Sequence, residues 1–95
     1  YFGRGAALVG LGRFEEAIDV YATATNRFQH QPDGLEAYVQ IAFCYWRLHQ
    51  DHDARGTLQQ AKVVFNRLPE DAPFLQRTNF DRQQWQQWLD WLSGL

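Results

Sequence analysis

The sequence is poor in residues that mark several classes of protein. It has no methionine, one cysteine and three prolines among its 95 residues. The single cysteine, Cys44, excludes a disulfide within the chain. Apolar runs are only a few residues long, so the sequence contains no span that could cross a membrane. Because it opens at Tyr1 and already within a helical pattern, we interpret it as a fragment of a longer chain.

The sequence also lacks an excess of one charge and the common catalytic motifs. Nine basic and eleven acidic residues give a formal net charge of −2. No basic run is available to neutralise phosphates, which makes nucleic-acid binding a minor alternative. There is no glycine-rich phosphate loop, zinc signature or carboxylate pair on identifiable elements. We therefore expect a chain that is not an enzyme and needs no cofactor.

One polar cluster resembles a set of metal ligands. A metal site needs three or four converging groups, and these side chains share a tight turn between two helices. We therefore favour a solvated turn over a metal site for His49, Asp51, His52 and Asp53. Cys44 is predicted to be a small buried residue at a helix contact, because free cysteine usually behaves as a small hydrophobe.

Apolar side chains recur at the spacing of one helix face along most of the chain. The hydrophobic fraction of 45% and the aromatic fraction of 16% exclude a disordered chain. Helices are predicted at 1–11, 14–30, 34–48, 51–68 and 81–94, with a loop at 66–80 that holds at most one helical turn. The central helix carries its stripe on Tyr38, Ile41, Ala42, Tyr45 and Leu48. These segments predict an all-α fold.

Local signals set the predicted helix ends. Gly12, Pro32 and Pro69 each follow a helix and stop it. Asp51 is predicted to be an N-cap. Two capping boxes are predicted, Asp33 with Glu36 and Asp81 with Gln84, and Phe80 with Trp85 has the spacing of a hydrophobic staple.

The last helix is predicted to bury one stripe of large side chains, while Trp91 lies off that face. Its flanks are glutamines and aspartates, which disfavours a helix lying in a membrane interface. The predicted buried stripe is Trp85, Trp88, Leu89 and Leu92.

The chain repeats itself at an offset of 37 residues, the distance from Ala17 to Ala54. Matched residue types at one ungapped offset indicate stacked supersecondary units. The alanines fall where neighbouring helices approach most closely, because a larger side chain would force them apart. The matched pairs are Tyr1–Tyr38, Leu11–Leu48, Ala17–Ala54, Ala24–Ala61, Phe28–Phe65 and Pro32–Pro69.

On these residues the chain resembles the tetratricopeptide repeat family, whose repeat of about 34 residues alternates large and small positions over two helices. The central unit matches with Tyr38, Ile41, Ala42, Tyr45, Ala54 and Leu58. The first unit matches with Tyr1, Gly5, Leu8, Ala17 and Tyr21, and departs from the pattern at Arg4. The longer repeat is similar to that of bacterial envelope proteins, so both the cytoplasm and the bacterial envelope stay open as compartments.

The resemblance implies a right-handed α-solenoid of antiparallel helical hairpins in a single domain, 1–95. Its parts would be unit one (1–32), unit two (33–69), an insert loop (70–80) and a capping helix (81–95). In such a stack the first helix of each hairpin lines the concave side. The candidate partner-binding residues on that side are Phe2, Ala6, Val9, Glu36, Val39, Gln40, Phe43, Trp46 and Arg47.

An apolar, aromatic strip flanked by polar groups suits a protein segment. We therefore predict a protein–protein interaction scaffold that binds a peptide or helix on its concave face. The family's lysine and asparagine clamp for a carboxylate is absent, so a chaperone C-terminus is not the expected partner. The alternative is a strip covered by the insert or the last helix. The chain would then be a structural or oligomerisation module, with self-association possible through its repeat ends.

Overall fold

In the computed structural model, residues 2–94 are described and form six α-helices and no β-strand. Each long helix packs on the next, α1 on α2, α2 on α3 and α3 on α4, while α6 packs on α4 and the short α5 on α3. The predicted all-α fold is confirmed. The predicted parts played by Tyr1 and Leu95 lie outside the described residues. The helices are α1 (Phe2–Gly10), α2 (Phe14–Arg27), α3 (Pro32–Arg47), α4 (Asp51–Arg67), α5 (Phe74–Arg77) and α6 (Arg82–Ser93).

Helix α3 contributes to all three hydrophobic clusters of the fold. Its Leu35 packs in one cluster with Phe65 of α4, and its Ile41 packs in a second with α2. Its Ala42 packs in a third with Ala54 of α4. The sequence predicted one buried face for this helix, whereas neighbours on two sides bury most of its circumference. The small residues predicted at helix contacts are all buried: Ala17, Ala24, Ala54 and Ala61.

Two predicted helix starts need correction. Helix α2 ends at Arg27, and Pro32 begins α3 as its first helical residue, a position that suits its missing N–H. The predicted capping box of Asp33 and Glu36 is wrong. The N-cap position is Gln31, and the Asp33 carboxylate accepts hydrogen bonds from Arg77 instead, at 2.8 and 3.1 Å. The N-cap of α4 is likewise Gln50, so that the predicted cap Asp51 is already helical.

The start of α6 follows the prediction. Asp81 Oδ1 accepts from the Gln84 N–H at 2.8 Å, and Gln84 Oε1 accepts from the Asp81 N–H at 2.9 Å. The rings of Phe80 and Trp85 meet edge to face with centroids 5.7 Å apart, as a staple requires.

The buried stripe of α6 is narrower than predicted. Trp85, Leu89 and Leu92 are buried, at the spacing of a single line along the helix, whereas Trp88 is 38% exposed. The prediction that Trp88 belongs to the core is therefore wrong. Only one line of α6 faces the neighbouring helices, and Trp88 lies beside that line. Leu11, which the 37-residue offset matched with Leu48 of the central stripe, lies in the turn after α1 and is 70% exposed.

Gly5 holds α1 close to α2. A Cβ atom at Gly5 would lie 2.5 Å from Cζ of the buried Tyr21 ring. We expect Gly5→Ala to lower the free energy of unfolding by about 1–3 kcal/mol, because the ring is buried and cannot move aside freely.

Chemical denaturation measures this effect, with Gly56→Ala as the matched control. Position 56 has open space around it and lies inside α4. Alanine there should raise the free energy of unfolding by up to about 1 kcal/mol through its helix propensity. Equal effects of the two substitutions would contradict the close contact of α1 with α2.

Candidate functional site

The structure divides the predicted partner-binding residues among several places. Glu36, Val39 and Gln40 line one cavity, and Trp46 lines another. Phe43 is exposed, Arg47 stacks on α2, and the residues from α1 lie apart from both cavities.

The residues predicted on α1 do not form an open strip. The Phe2 ring lies 6.0 Å from the Tyr21 ring and 6.2 Å from the Phe28 ring, centroid to centroid, and Val9 packs against the same cluster. Phe2, Gly5 and Val9 share one helix face by their spacing. The close approach at Gly5 therefore turns Phe2 and Val9 onto α2. Only Ala6 of the three predicted residues is exposed.

The first cavity lies between α3, the segment after α5, and α6. It has a volume of about 130 Å³. Glu36, Val39 and Gln40 come from successive turns of one face of α3. Opposite them stand residues that the sequence placed in the insert or the core of the last helix: Thr78, Asn79, Phe80, Trp85 and Trp88.

A buried hydrogen-bond chain fixes the wall of this cavity. The Trp85 indole N–H donates to Thr78 Oγ1 at 2.7 Å, and the Thr78 hydroxyl donates to the Phe74 carbonyl at 2.7 Å. The Trp85 indole and the Thr78 hydroxyl, both buried, thereby have partners, which the low-dielectric interior requires. These two hydrogen bonds join α5 to α6 through Thr78, which lies between the two helices.

A second set of contacts ties the same segment to α3. Arg77 of α5 donates to Asp33 and, at 2.7 Å, to Gln31 Oε1. The hydrogen bond and the charge of Asp33 raise the pKa of the Arg77 guanidinium. The planar donor fork of arginine suits such a two-point contact. The insert is therefore attached both to the start of α3 and to α6, on either side of the first cavity.

Glu36 is the charged group of the first cavity. Its burial raises the pKa of the carboxyl, and the negative charge of Asp33 raises it further. Among the described residues that line the cavity, none is basic. Within residues 2–94, Glu36 takes part in no ion pair, so its charge has no compensating cation there.

Trp46, which the sequence placed on the open strip, lines the second cavity instead. Trp46 packs against Leu58 of α4 and Leu92 of α6 and is partly buried. This cavity is also about 130 Å³ in volume and carries the basic side chains of Arg55 and Lys62 at its lining. Trp46 thus both packs against the core and lines this cavity, whereas the sequence predicted a fully open ring.

Three large aromatic side chains are exposed among the described residues. Phe43 of α3 is 40% exposed, and Trp91 of α6 is 60% exposed. Trp88 lies 5.8 Å from both Phe80 and Trp91, centroid to centroid. The guanidinium of Arg47, predicted at the edge of the strip, lies 5.2 Å from the Phe14 ring centre. We call the following set the α3–α6 surface: Glu36, Val39, Gln40, Phe43, Phe80, Trp88 and Trp91.

Sequence reasoning missed the contributions of Phe80, Trp88 and Trp91 to this surface. The sequence does hold a signal for them. A helix with tryptophans at 85, 88 and 91 has more aromatic area than one buried line can cover.

No family model matches this chain. No curated protein and no solved structure matches it either. The resemblance to tetratricopeptide repeats therefore rests on the residue pattern and its 37-residue offset.

The structure also places the other groups that the sequence singled out. Cys44 is buried, as predicted, and burial raises the pKa of its thiol, which disfavours the reactive thiolate. Residues 2–94 hold no group of three or more histidine, cysteine, aspartate or glutamate side chains that could bind a metal ion. No helix among them is long and apolar enough to span a bilayer.

Proposed function

We propose that the chain is a protein–protein interaction scaffold that binds a segment of a partner protein on the α3–α6 surface. The exposed rings of Phe43, Trp88 and Trp91 carry this proposal. The rings of Trp88 and Trp91 lie 5.8 Å apart, and exposed aromatic side chains are unfavourable in water and are typical anchors of protein interfaces. The fold does not need the outer parts of these rings for its own packing.

We further propose that the helices stack as a right-handed solenoid related to tetratricopeptide repeats. The equivalent alanines of the two units are buried in the same way, which supports this arrangement. The two cavities add support, because Glu36–Gln40 faces the first half of α6 and Trp46 faces its end. In this arrangement α3 and α6 would run in the same direction, as first helices of successive units do. The α3–α6 surface would line the concave side.

A structural or oligomerisation module is the second candidate. It is favoured by the packing of Val39 against two hydrophobic clusters and of Trp46 against Leu92. These contacts cover part of the strip that the sequence predicted to be open. In the first candidate the exposed rings bind a partner segment, and in the second they do not. Peptide binding distinguishes the two.

Panning a random peptide display library against the folded chain tests the proposal. We expect enriched peptides that bind the wild type and lose at least tenfold in affinity with Trp91→Ala. An aromatic anchor in an interface often contributes about 2 kcal/mol or more. The stability of this variant should change by no more than about 0.5 kcal/mol, because the side chain lies mostly in solvent.

Leu11→Ala is the control for this experiment. Leu11 is another exposed apolar residue, but it lies outside the α3–α6 surface. Its replacement should leave peptide affinity unchanged. Failure to enrich any peptide, or equal affinity of the wild type and Trp91→Ala, would count against the scaffold and favour the structural module.

A further inference from the structure

The first cavity combines aromatic rings with an uncompensated carboxylate. Phe80, Trp85 and Trp88 line it together with Glu36. Aromatic rings attract cations through the negative potential of their faces, most strongly where water is excluded. A carboxylate at the same place adds a full opposite charge, so the lining matches an organic cation.

Other aromatic groups of this fold already hold a cation from the chain itself. The Arg82 guanidinium lies 4.6 Å from the Phe65 ring centre, and the Arg47 guanidinium lies 5.2 Å from that of Phe14. The first cavity differs because no lysine, arginine or histidine is among its described lining residues. Its cation would have to come from another molecule.

We propose that this cavity binds the ammonium group of a lysine side chain presented by the partner protein. The partner as the source of the lysine rests on the proposed function. A lysine side chain brings a compact charge on a thin apolar stem. The cavity has a volume of about 130 Å³, well above what one water molecule needs, so it can admit an ammonium group and its nearest methylenes.

An uncharged apolar group would fit this place less well. It would cover Glu36 without supplying a partner, and a carboxylate buried without a partner is unfavourable. Burial already raises the pKa of Glu36, which shows that its surroundings disfavour the charged form. A bound ammonium group would reverse that imbalance, and the amides of Gln40 and Asn79 could accept further hydrogen bonds from it.

The test uses three small compounds and the isolated chain, followed by the NMR signals of the indole N–H groups. We expect N-acetyl-lysine methylamide to shift the Trp85 and Trp88 signals in a saturable way, with at least tenfold higher affinity than N-acetyl-norleucine methylamide. The norleucine compound has a similar stem and no charge. Equal affinity of the two compounds, or no shift with the lysine compound, would overturn the proposal. Tighter binding of N-acetyl-arginine methylamide would overturn its assignment to an ammonium group.

Glu36→Gln is the decisive variant, with Glu15→Gln as its control at an exposed carboxylate of α2. We expect Glu36→Gln to reduce affinity for the lysine compound at least tenfold and Glu15→Gln to leave it unchanged. The melting temperature of Glu36→Gln at neutral pH should be no lower than that of the wild type, since the change removes an unpaired charge. Unchanged affinity of Glu36→Gln would contradict the proposal, and so would loss of affinity that merely follows loss of stability.

The outcomes separate this proposal from the proposed function. Peptides that bind the α3–α6 surface equally well in the wild type and in the Glu36→Gln variant would overturn the lysine site and leave the scaffold intact. Binding of the lysine compound without enrichment of any peptide would contradict the scaffold and the partner as source. The cavity would then bind an ammonium group without a role in binding a partner protein.

Discussion

Replacing Trp85 with alanine is expected to lower the free energy of unfolding by about 3–5 kcal/mol. Trp85 is 2% exposed and packs in one cluster with Leu35 and Phe65. Its removal would leave a cavity there and would take the indole donor from the Thr78 hydroxyl. The free energy of unfolding of a small domain is about 5–15 kcal/mol in total, so the expected loss is a large share of it.

Urea denaturation followed by far-ultraviolet circular dichroism measures the effect without relying on tryptophan fluorescence. Trp91→Ala removes the same side chain from a position of the same helix that is 60% exposed, and should change the free energy of unfolding by no more than about 0.5 kcal/mol. Similar losses for both variants would show that α6 packs through a different face.

Replacing Ala61 with tryptophan is expected to lower stability by about 1–3 kcal/mol or more, because a buried contact would be overpacked. Ala61 is buried on α4, in the cluster that includes Leu35 of α3. In a domain of this size each kcal/mol shifts the melting temperature by about 4–8 °C. The fall should therefore be plain in a thermal melt.

The control is Gln60→Trp, which places the same side chain at the neighbouring, exposed position of α4. It should melt close to the wild type. If Ala61→Trp also melted like the wild type, the face of α4 assigned to the core would be wrong.

The helices were predictable because their signals are local. Asp81 and Gln84 are three residues apart, and both halves of their capping box lie within one turn. The same pattern at Asp33 and Glu36 failed, because Pro32 already begins α3 and Arg77, far along the chain, binds the Asp33 carboxylate. A local pattern predicts a cap only where no distant side chain competes for the same group.

The candidate site was less predictable than the helices, since it depends on the rotation of each helix about its own axis. That rotation decides which side chains face the neighbouring helices and which face solvent. The positions of Phe2 and Val9 followed from analogy with α3, yet the missing side chain of Gly5 lets α1 approach α2 and turns both residues onto the cluster around Tyr21. Trp88 fitted a helical stripe by spacing, but only one line of α6 meets its neighbours. The first cavity joins residues 36–40 to residues 78–88, and no short-range pattern records that meeting.

Chemical-shift mapping of an enriched peptide on the isotopically labelled chain tests the scaffold most directly. The proposal predicts that the largest shifts fall on the amides of Glu36, Gln40 and Phe43 and on the indole N–H of Trp88 and Trp91. Another depression, of about 390 Å³, lies elsewhere, between Ile18 and Ala22 of α2 and Thr57 of α4. Shifts confined to that side, with the α3–α6 surface unchanged, would contradict the account.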